Sequence, residues 1–275
     1  MLFKKNSIEF VQIQTIDNCN LKCDFCPNSK RPPSGYIMEN WVFEKIIDEI
    51  IPYVTPRVEI DLFLENEPLL DKNIFNKAKY VGEKLPMAKK SIISNGVIAK
   101  HYKKNIIDNF DKYVYTLYGK NYKQFNEFTH SKITEDKFNE IYKINKEIID
   151  SMNALGKKAH LDAKINPSTF SLGVDSYSRG GFLDNWKIKY KSDYARCNKK
   201  EPFIFFNFLA DGSMILCCMD YIKETTIGNI KFQSLNEILN SKRAKNVIRK
   251  ARGEIRSEEN FICKRCIYYK KSAPK

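Results

Sequence analysis

No stretch of the 275-residue chain approaches the roughly 18 consecutive apolar residues that a membrane span requires. Nor does the start of the chain carry a secretory apolar segment: Met-Leu-Phe-Lys-Lys-Asn passes at once into polar and acidic residues. A cytoplasmic protein with no membrane partner is the expectation. Nucleotide signatures are missing too. Neither G-x-G-x-x-G nor G-x4-G-K-[ST] occurs, which leaves nicotinamide and P-loop chemistry without their motifs. Histidine is scarce, at His101, His130 and His160 alone and without H-E-x-x-H spacing, which argues against a histidine-based hydrolase or a zinc protease. There are no repeats and no low-complexity tracts. Acidic residues run short of basic ones, 33 Asp and Glu to 47 Lys and Arg, for a formal charge of +14. With 43% hydrophobic and 13% aromatic residues, the composition fits a folded globular chain and excludes a disordered one.

What is present is unevenly placed. Residues 187–275 hold 20 Lys and Arg against 9 Asp and Glu, so most of the excess charge falls in the last third. A solvated Lys-rich surface is the plain explanation. An acidic partner, an anionic small-molecule substrate or nucleic acid is the sharper one; nucleic acid is the least favoured, for want of an aromatic–basic RNA-binding motif. The eight cysteines also fall in two groups: Cys19, Cys23 and Cys26, then Cys197, Cys217, Cys218, Cys263 and Cys266. Without an export signal, grouped cysteines read first as metal ligands rather than disulfides.

Periodicity organises the chain. Residues 8–14 alternate apolar and polar as a half-buried strand does, and 41–51 place Phe43, Ile46, Ile47, Ile50 and Ile51 on one side of a helix. Further strands are expected at 58–64, 91–94, 113–117 and 159–165, with helices at 73–84, 99–110 and within 133–155, the last closed by Gly156. Repeated strand–helix alternation predicts parallel βα units, and five strands before residue 166 fall short of a complete eight-unit barrel. After residue 168 the character changes. Two short strands, 203–209 and 214–217, flank the hairpin signal Asp211-Gly212, and a basic amphipathic helix is expected over 235–251. The fold class expected is α/β: a partial (β/α) TIM-like barrel of about five to six strands in residues 1–175, then a small α+β domain in residues 176–275.

The first cysteine group has C-x3-C-x2-C spacing just after the first strand. Three thiolates can hold three corners of a 4Fe–4S cluster and leave one iron open, as a catalytic cluster requires. Zinc with a fourth ligand from elsewhere, or three unrelated thiols, are the alternatives. With Phe25 before the last cysteine, this segment resembles the radical S-adenosylmethionine (SAM) superfamily. The resemblance implies that SAM chelates the open iron and yields a 5′-deoxyadenosyl radical that removes a substrate hydrogen atom. Leu64-Glu65-Asn66-Glu67-Pro68-Leu69 is similar to the family's Gly-Glu motif, with Asn66 in place of glycine and Glu67 expected at the SAM ammonium. Ser94 and Asn95 stand where the family contacts the SAM ribose. Thr116-Leu117-Tyr118-Gly119 resembles a Ser-Leu-Asp-Gly segment, with Thr116 as a further SAM contact.

The second group offers Cys197, Gly212-x4-Cys217 and Cys263-x2-Cys266, a full set for a second 4Fe–4S cluster, with zinc again the alternative. The spacing resembles the auxiliary-cluster domains called SPASM, or Twitch in the shortened form. No cysteine follows Cys266, so one auxiliary cluster is expected; whether Cys217 or Cys218 ligates stays open, with the Gly-x4-Cys spacing favouring Cys217. In length and layout the chain is similar to the small aminocyclitol dehydrogenases of that subgroup. That likeness implies Arg179 and Asp220 at the substrate, Arg179 to orient a hydroxyl or phosphate and Asp220 to bind hydroxyls or take a proton. Together these features point to a radical SAM oxidoreductase that holds SAM and two 4Fe–4S clusters, oxidises a sugar, aminocyclitol or related polyol, and draws on a flavodoxin- or ferredoxin-type donor. A peptide-modifying radical SAM enzyme, forming an epimer or a thioether, is the second reading. A non-enzymatic iron–sulfur or zinc protein binding nucleic acid is the third.

Overall fold

A computed structural model describes residues 4–164, 194–198, 201–266 and 268–271. Four βα units and a fifth strand lead the chain: β1 (Ile8–Ile13), α1 (Asn40–Ile50), β2 (Val54–Asp61), α2 (Ile74–Lys84), β3 (Lys89–Ser94), α3 (Lys103–Asn109), β4 (Lys112–Tyr118), α4 (Tyr122–Thr129), α5 (Glu135–Ala154) and β5 (Lys158–Lys164). The C-terminal part adds β6 (Ala195–Cys197), β7 (Phe205–Phe208), β8 (Ser213–Ile215), β9 (Thr226–Asn229) and β10 (Tyr269–Lys271), with helices Leu235–Asn240, Lys242–Ala251 and Ile262–Arg265. One sheet runs β5-β4-β3-β2-β1-β7-β8-β9, and its six strands from β5 to β7 are all parallel. This is the partial-barrel α/β class. The sixth parallel strand comes from the far end of the chain: β7 pairs with β1, Gln12 opposite Asn207. The boundary expected at 175/176 lies outside the described residues.

Local sequence explains most elements. In α1, Val42, Phe43, Ile46, Ile47 and Ile50 form the buried stripe, spaced three and four apart as a core-facing helix requires; Ile51 falls past the helix end and is exposed. In β1, Val11 and Ile13 share one face, so Gln12 faces the other. Residues paired across a sheet share a face, and the pairing runs Asn207–Gln12–Asp61–Ser91 over β7, β1, β2 and β3. A buried polar row thus crosses the strands opposite the helix-packed side.

Three expectations change. The helix expected over 99–110 is a short 3-10 turn at Ala99–His101 followed by α3, broken at Tyr102, whose ring packs on Phe75 with centroids 5.4 Å apart. The helix expected over 235–251 is two helices. Ser241 takes extended backbone and its hydroxyl accepts from Ala244 N, because a serine side chain competes for helical amides and starts a new helix instead. Helix α4 and strand β9 were not expected at all. Asn121 starts α4 by accepting from Gln124 N, and its apolar face is only Phe125, Phe128 and Thr129.

The end of the chain is laced onto its beginning. Lys231 pairs with Glu39 at 2.8 Å, Lys45 donates to Gln233 O at 3.1 Å, Leu235 N donates to Glu49, and Tyr53 donates to Asn236 at 3.3 Å. Residues 231–236 therefore follow α1 along its length.

Candidate functional site

The first three cysteines lie on the loop that leaves β1. Cys19 N donates to Asn18 Oδ1 at 2.8 Å, and Cys26 N to Cys23 O at 2.9 Å. Helix α4 anchors this loop from outside: Lys22 N and Asp24 N donate to the carbonyls of Thr129 and Phe128, each at 3.2 Å, and His130 contacts Asp24. Carbonyls at a helix C-terminus lack partners within the helix, so they are ready acceptors. Burial pushes the Cys19 thiol up to about 12, with Glu67 adding to the effect. Cys23 is raised further, by burial and then by Cys26 and Cys19. Three thiols that hinder one another's ionisation can be deprotonated together only around a cationic core. An iron–sulfur core supplies that charge, so this donor set fits a cluster.

Beside the thiols, the ends of β2 and β3 are knotted by Glu67. Its Oε1 accepts from Leu69 N at 3.1 Å and Ser94 Oγ at 2.8 Å, and its Oε2 from Asn95 N at 2.8 Å. Only 2% exposed, Glu67 is pushed up to about 7 by burial against those donors. Asn95 donates from Nδ2 to Asn20 at 2.7 Å and stands 4.0 Å from Cys19 Sγ. The turn needs Gly96, at φ +73°: a Cβ there would lie 2.5 Å from Asn145 Nδ2. Asn66 accepts from Leu64 N at 3.0 Å, while its buried Nδ2 has no acceptor among the described residues. A buried donor left over in the segment that carries Glu67 suits an anionic group such as the carboxylate of SAM. Phe25 packs on Tyr118, and Thr116 lies two residues earlier on β4, so it shares the face of Tyr118. Cys19, Glu67, Ser94 and Asn95 thus form one network, with Phe25, Asn66 and Thr116 around it.

A second knot carries no sequence motif. Glu65, also 2% exposed, is pushed up to about 8 by burial although Arg31 Nη2 lies 3.1 Å from its Oε2; its Oε1 has no donor among the described residues. Arg31 reaches Asp17 at 3.4 Å as well. Asp17 accepts from Ser34 N and Oγ at 3.1 and 2.7 Å. Burial opposes its charge, but these donors and Arg31 hold its carboxyl below the usual range. The only signal available in the sequence was an extra glutamate at the end of the second strand, just before Asn66-Glu67.

The second cysteine group gathers on C-terminal elements. Cys197 ends β6, opposite Tyr269 of β10; Cys263 lies in helix Ile262–Arg265, with Cys266 just after it. Burial raises Cys263 strongly, with Cys197 and Cys266 next in effect. Cys217 is raised by its contact with Cys218, then by burial, and Cys263 also acts on it. Burial pushes Cys266 up to about 11, with Cys197 and Cys218 contributing. Each of the five thiols thus influences, or is influenced by, another of the set, and both Cys217 and Cys218 take part. Asp220 is fully buried. Its Oδ2 accepts from Thr225 N and Oγ1, each at 2.6 Å, and its Oδ1 from Glu224 N at 3.0 Å, which fastens the turn that carries Cys217. Arg179 lies outside the described residues.

Known proteins match this arrangement. The Radical SAM superfamily model matches residues 13–159, more than half of the chain, and the SPASM iron–sulfur cluster-binding domain matches residues 197–267. No curated protein sequence matches. Among solved structures, BtrN in complex with AdoMet and 2-DOIA superposes with a TM-score of 0.64 at 17% identity, covering 90% of this chain and 89% of that one. SuiB of Streptococcus suis bound to precursor peptide SuiA gives 0.63 at 15% identity, covering 89% and 67%. Native anSMEcpe with bound AdoMet and Cp18Cys peptide gives 0.56 at 15% identity, covering 86% and 81%. With its thiols, strand-end network and C-terminal cysteines so placed, this chain belongs to the radical SAM superfamily, carries a SPASM domain, and is an enzyme that uses SAM and 4Fe–4S clusters.

Proposed function

We propose that this enzyme oxidises a hydroxyl group of a sugar, aminocyclitol or related polyol, with the auxiliary site as electron acceptor. The observation that carries the reading is the second thiol set itself, joined to a fold shared with BtrN over nearly the full length of both chains. Bound SAM, at the N-terminal site, supplies a radical that removes a hydrogen atom from the substrate. A carbinol that has lost a hydrogen atom must still lose a proton and an electron to become a carbonyl. Four thiolates from Cys197, Cys217 or Cys218, Cys263 and Cys266 would hold the acceptor of that electron.

Within this reading the chain's residues divide the work. Cys19, Cys23 and Cys26 hold the N-terminal site. Phe25, Asn66, Ser94, Asn95 and Thr116 contact SAM, with Asn66 Nδ2 donating to its carboxylate. Glu67, whose carboxylate already accepts from Leu69, Ser94 and Asn95, holds the strand ends in place and presents a negative end toward the SAM ammonium. Asp220 fixes the turn that bears Cys217, and Arg179 orients a hydroxyl or an anionic group of the substrate. A cytoplasmic setting and an acidic flavodoxin- or ferredoxin-type donor, drawn to the basic last third, belong to the same proposal. No described helix is long and apolar enough to cross a membrane.

A peptide substrate is the second reading, favoured by the likeness to SuiB and anSMEcpe, both solved with peptides. Coverage tips the balance: this chain accounts for 89% of the BtrN chain but 67% of SuiB. Anaerobic reconstitution should load about eight irons per chain; four or fewer would remove the acceptor and with it the oxidase reading. With dithionite and SAM, a panel of aminocyclitols and sugars should then yield a ketone in step with 5′-deoxyadenosine. Turnover of peptides alone would transfer the assignment to the second reading.

A further inference from the structure

Four side chains stand next to one another on the sheet face opposite the helices, and the chemistry described above uses none of them. Asn207 of β7, Gln12 of β1, Asp61 of β2 and Ser91 of β3 follow in register, and none is more than 9% exposed. Their amide donors are spent inside the protein. Asn207 Nδ2 donates to Leu216 O at 3.3 Å, and Gln12 Nε2 to Asp61 Oδ2 at 3.2 Å. A carbonyl and a carboxylate accept, so these contacts fix which way each amide points. Left over are oxygens: Asn207 Oδ1, Gln12 Oε1 and Asp61 Oδ1 are buried with no donor among the described residues. Gln14, two residues beyond Gln12, makes the contrast: its Oε1 accepts from Ala210 N at 3.2 Å and its Nε2 donates to Asp17 at 3.3 Å. Buried acceptors in native proteins nearly always have a partner, so three orphans on neighbouring strands mark a place where another molecule donates.

Position and charge narrow what that molecule brings. Two residues nearer the strand starts, on the same face, Phe10 and Phe205 pack with ring centroids 4.5 Å apart, which gives the row an apolar floor. In the other direction, Lys112 of β4 pairs with Ser91, and Thr116 lies on that same face four residues further along. The row is thus a layer below the residues assigned to SAM. Lys112 is taken by Glu59 at 2.5 Å, so it does not serve as the counter-ion of Asp61. Burial pushes the Asp61 carboxyl up to about 7, with Glu59 adding to the effect. An anion is unwelcome against three oxygens, and a neutral hydroxyl would leave the carboxylate uncompensated. A primary ammonium brings one positive charge and three N–H donors. Strands about 4.8 Å apart set the three orphan oxygens side by side to receive them. We propose that Asn207, Gln12 and Asp61 bind the ammonium group of the substrate, with Ser91 beside them for a neighbouring hydroxyl, so that the enzyme selects an amino-bearing ring polyol over a neutral or phosphorylated one. The inference rests on the polyol-oxidation reading and deepens it, by naming the substituent that the sheet recognises and the residues that recognise it.

The test is titration calorimetry of the full-length, anaerobically reconstituted, SAM-loaded enzyme with scyllo-inosamine and with scyllo-inositol, which differ by one amine in place of one hydroxyl. The amine should bind tighter by about tenfold or more, the scale of a charge-assisted contact. Asp61→Asn keeps the shape of the side chain; it should erase the preference and leave inositol binding as in wild type. Equal affinities in the wild type, no binding of either probe, or a preference that survives Asp61→Asn at wild-type iron content each overturns the proposal. Should Asp61→Asn load iron poorly, a crystal structure of the wild-type enzyme with SAM and scyllo-inosamine decides the matter. An amine nitrogen within hydrogen-bond reach of Asp61 and Gln12 upholds the proposal. A row filled by ordered water or a metal ion, with the amine elsewhere, overturns it. Turnover separates this inference from the reading beneath it. Ketone formed from both polyols at equal kcat/KM sinks the ammonium site alone, whereas turnover of peptides only sinks the oxidation reading and the site with it.

Discussion

Asp61 ends β2 with Oδ2 accepting from Gln12 at 3.2 Å and, among the described residues, Oδ1 buried without a donor. Burial pushes its pKa up to about 7, reinforced by Glu59 and opposed by Gln12 and Lys112. An acid whose folded pKa is raised binds more protons folded than unfolded. Its contribution to stability therefore falls as pH rises from near its ordinary value of 3.8 to about 7, and is level beyond. Asp61→Asn keeps the shape and removes the ionisation. It should be more stable than wild type at pH 8 by about 1–3 kcal/mol and nearly equal to it at pH 4.5; anaerobic thermal unfolding at the two values is the check. Gly96 makes a complementary case. Gly96→Ala forces a side chain onto Asn145 and Tyr115 at positive φ, which should cost about 2 kcal/mol or more. It should also weaken SAM binding, measured by equilibrium dialysis, because Asn95 is the preceding residue.

At the scale of elements, most of the barrel was legible and for a plain reason. The stripe of α1 and the alternation in β1 are local patterns, written within about a dozen residues. What stayed hidden is decided between elements. Helix α4 spans only eight residues, so its buried pair Phe125 and Phe128 is too short a pattern to stand out in the sequence; the carbonyls of Thr129 and Phe128 also receive the cysteine loop. The break at Ser241 depends on one hydroxyl, and Ser241→Ala should lower stability by about 1 kcal/mol without fusing the two helices, since position 241 is extended. Near-unchanged unfolding would show that packing alone holds this corner. The candidate site divides the same way. Cys19, Cys23, Cys26, Glu67, Ser94 and Asn95 could be located from motif and strand end. Arg31, Asp17 and Glu65 could not, because their meaning arises only when the segment after Cys26 folds back onto the end of β2.

At the scale of the whole molecule, the C-terminal part completes the sheet that the N-terminal strands begin. β7 pairs along the whole upper half of β1, and residues 231–236 are tied to α1. A fragment of residues 1–175 would leave the β1 edge, with Phe10, Gln12 and their amides, open to pairing with another chain. It should express largely as aggregate in size-exclusion chromatography, and a monodisperse fragment would refute the dependence. The position of β1 between β2 and β7 also sets a schedule. On the ribosome, at roughly 5–20 residues per second, the stretch from β1 to β7 takes about 10–40 s to emerge. Through that interval the nascent chain has its three cysteines but not the strand that closes their side of the sheet. For a chain made in air, iron would have to reach those thiols, or the thiols stay reduced, through that interval for the first site to be loaded when the sheet closes.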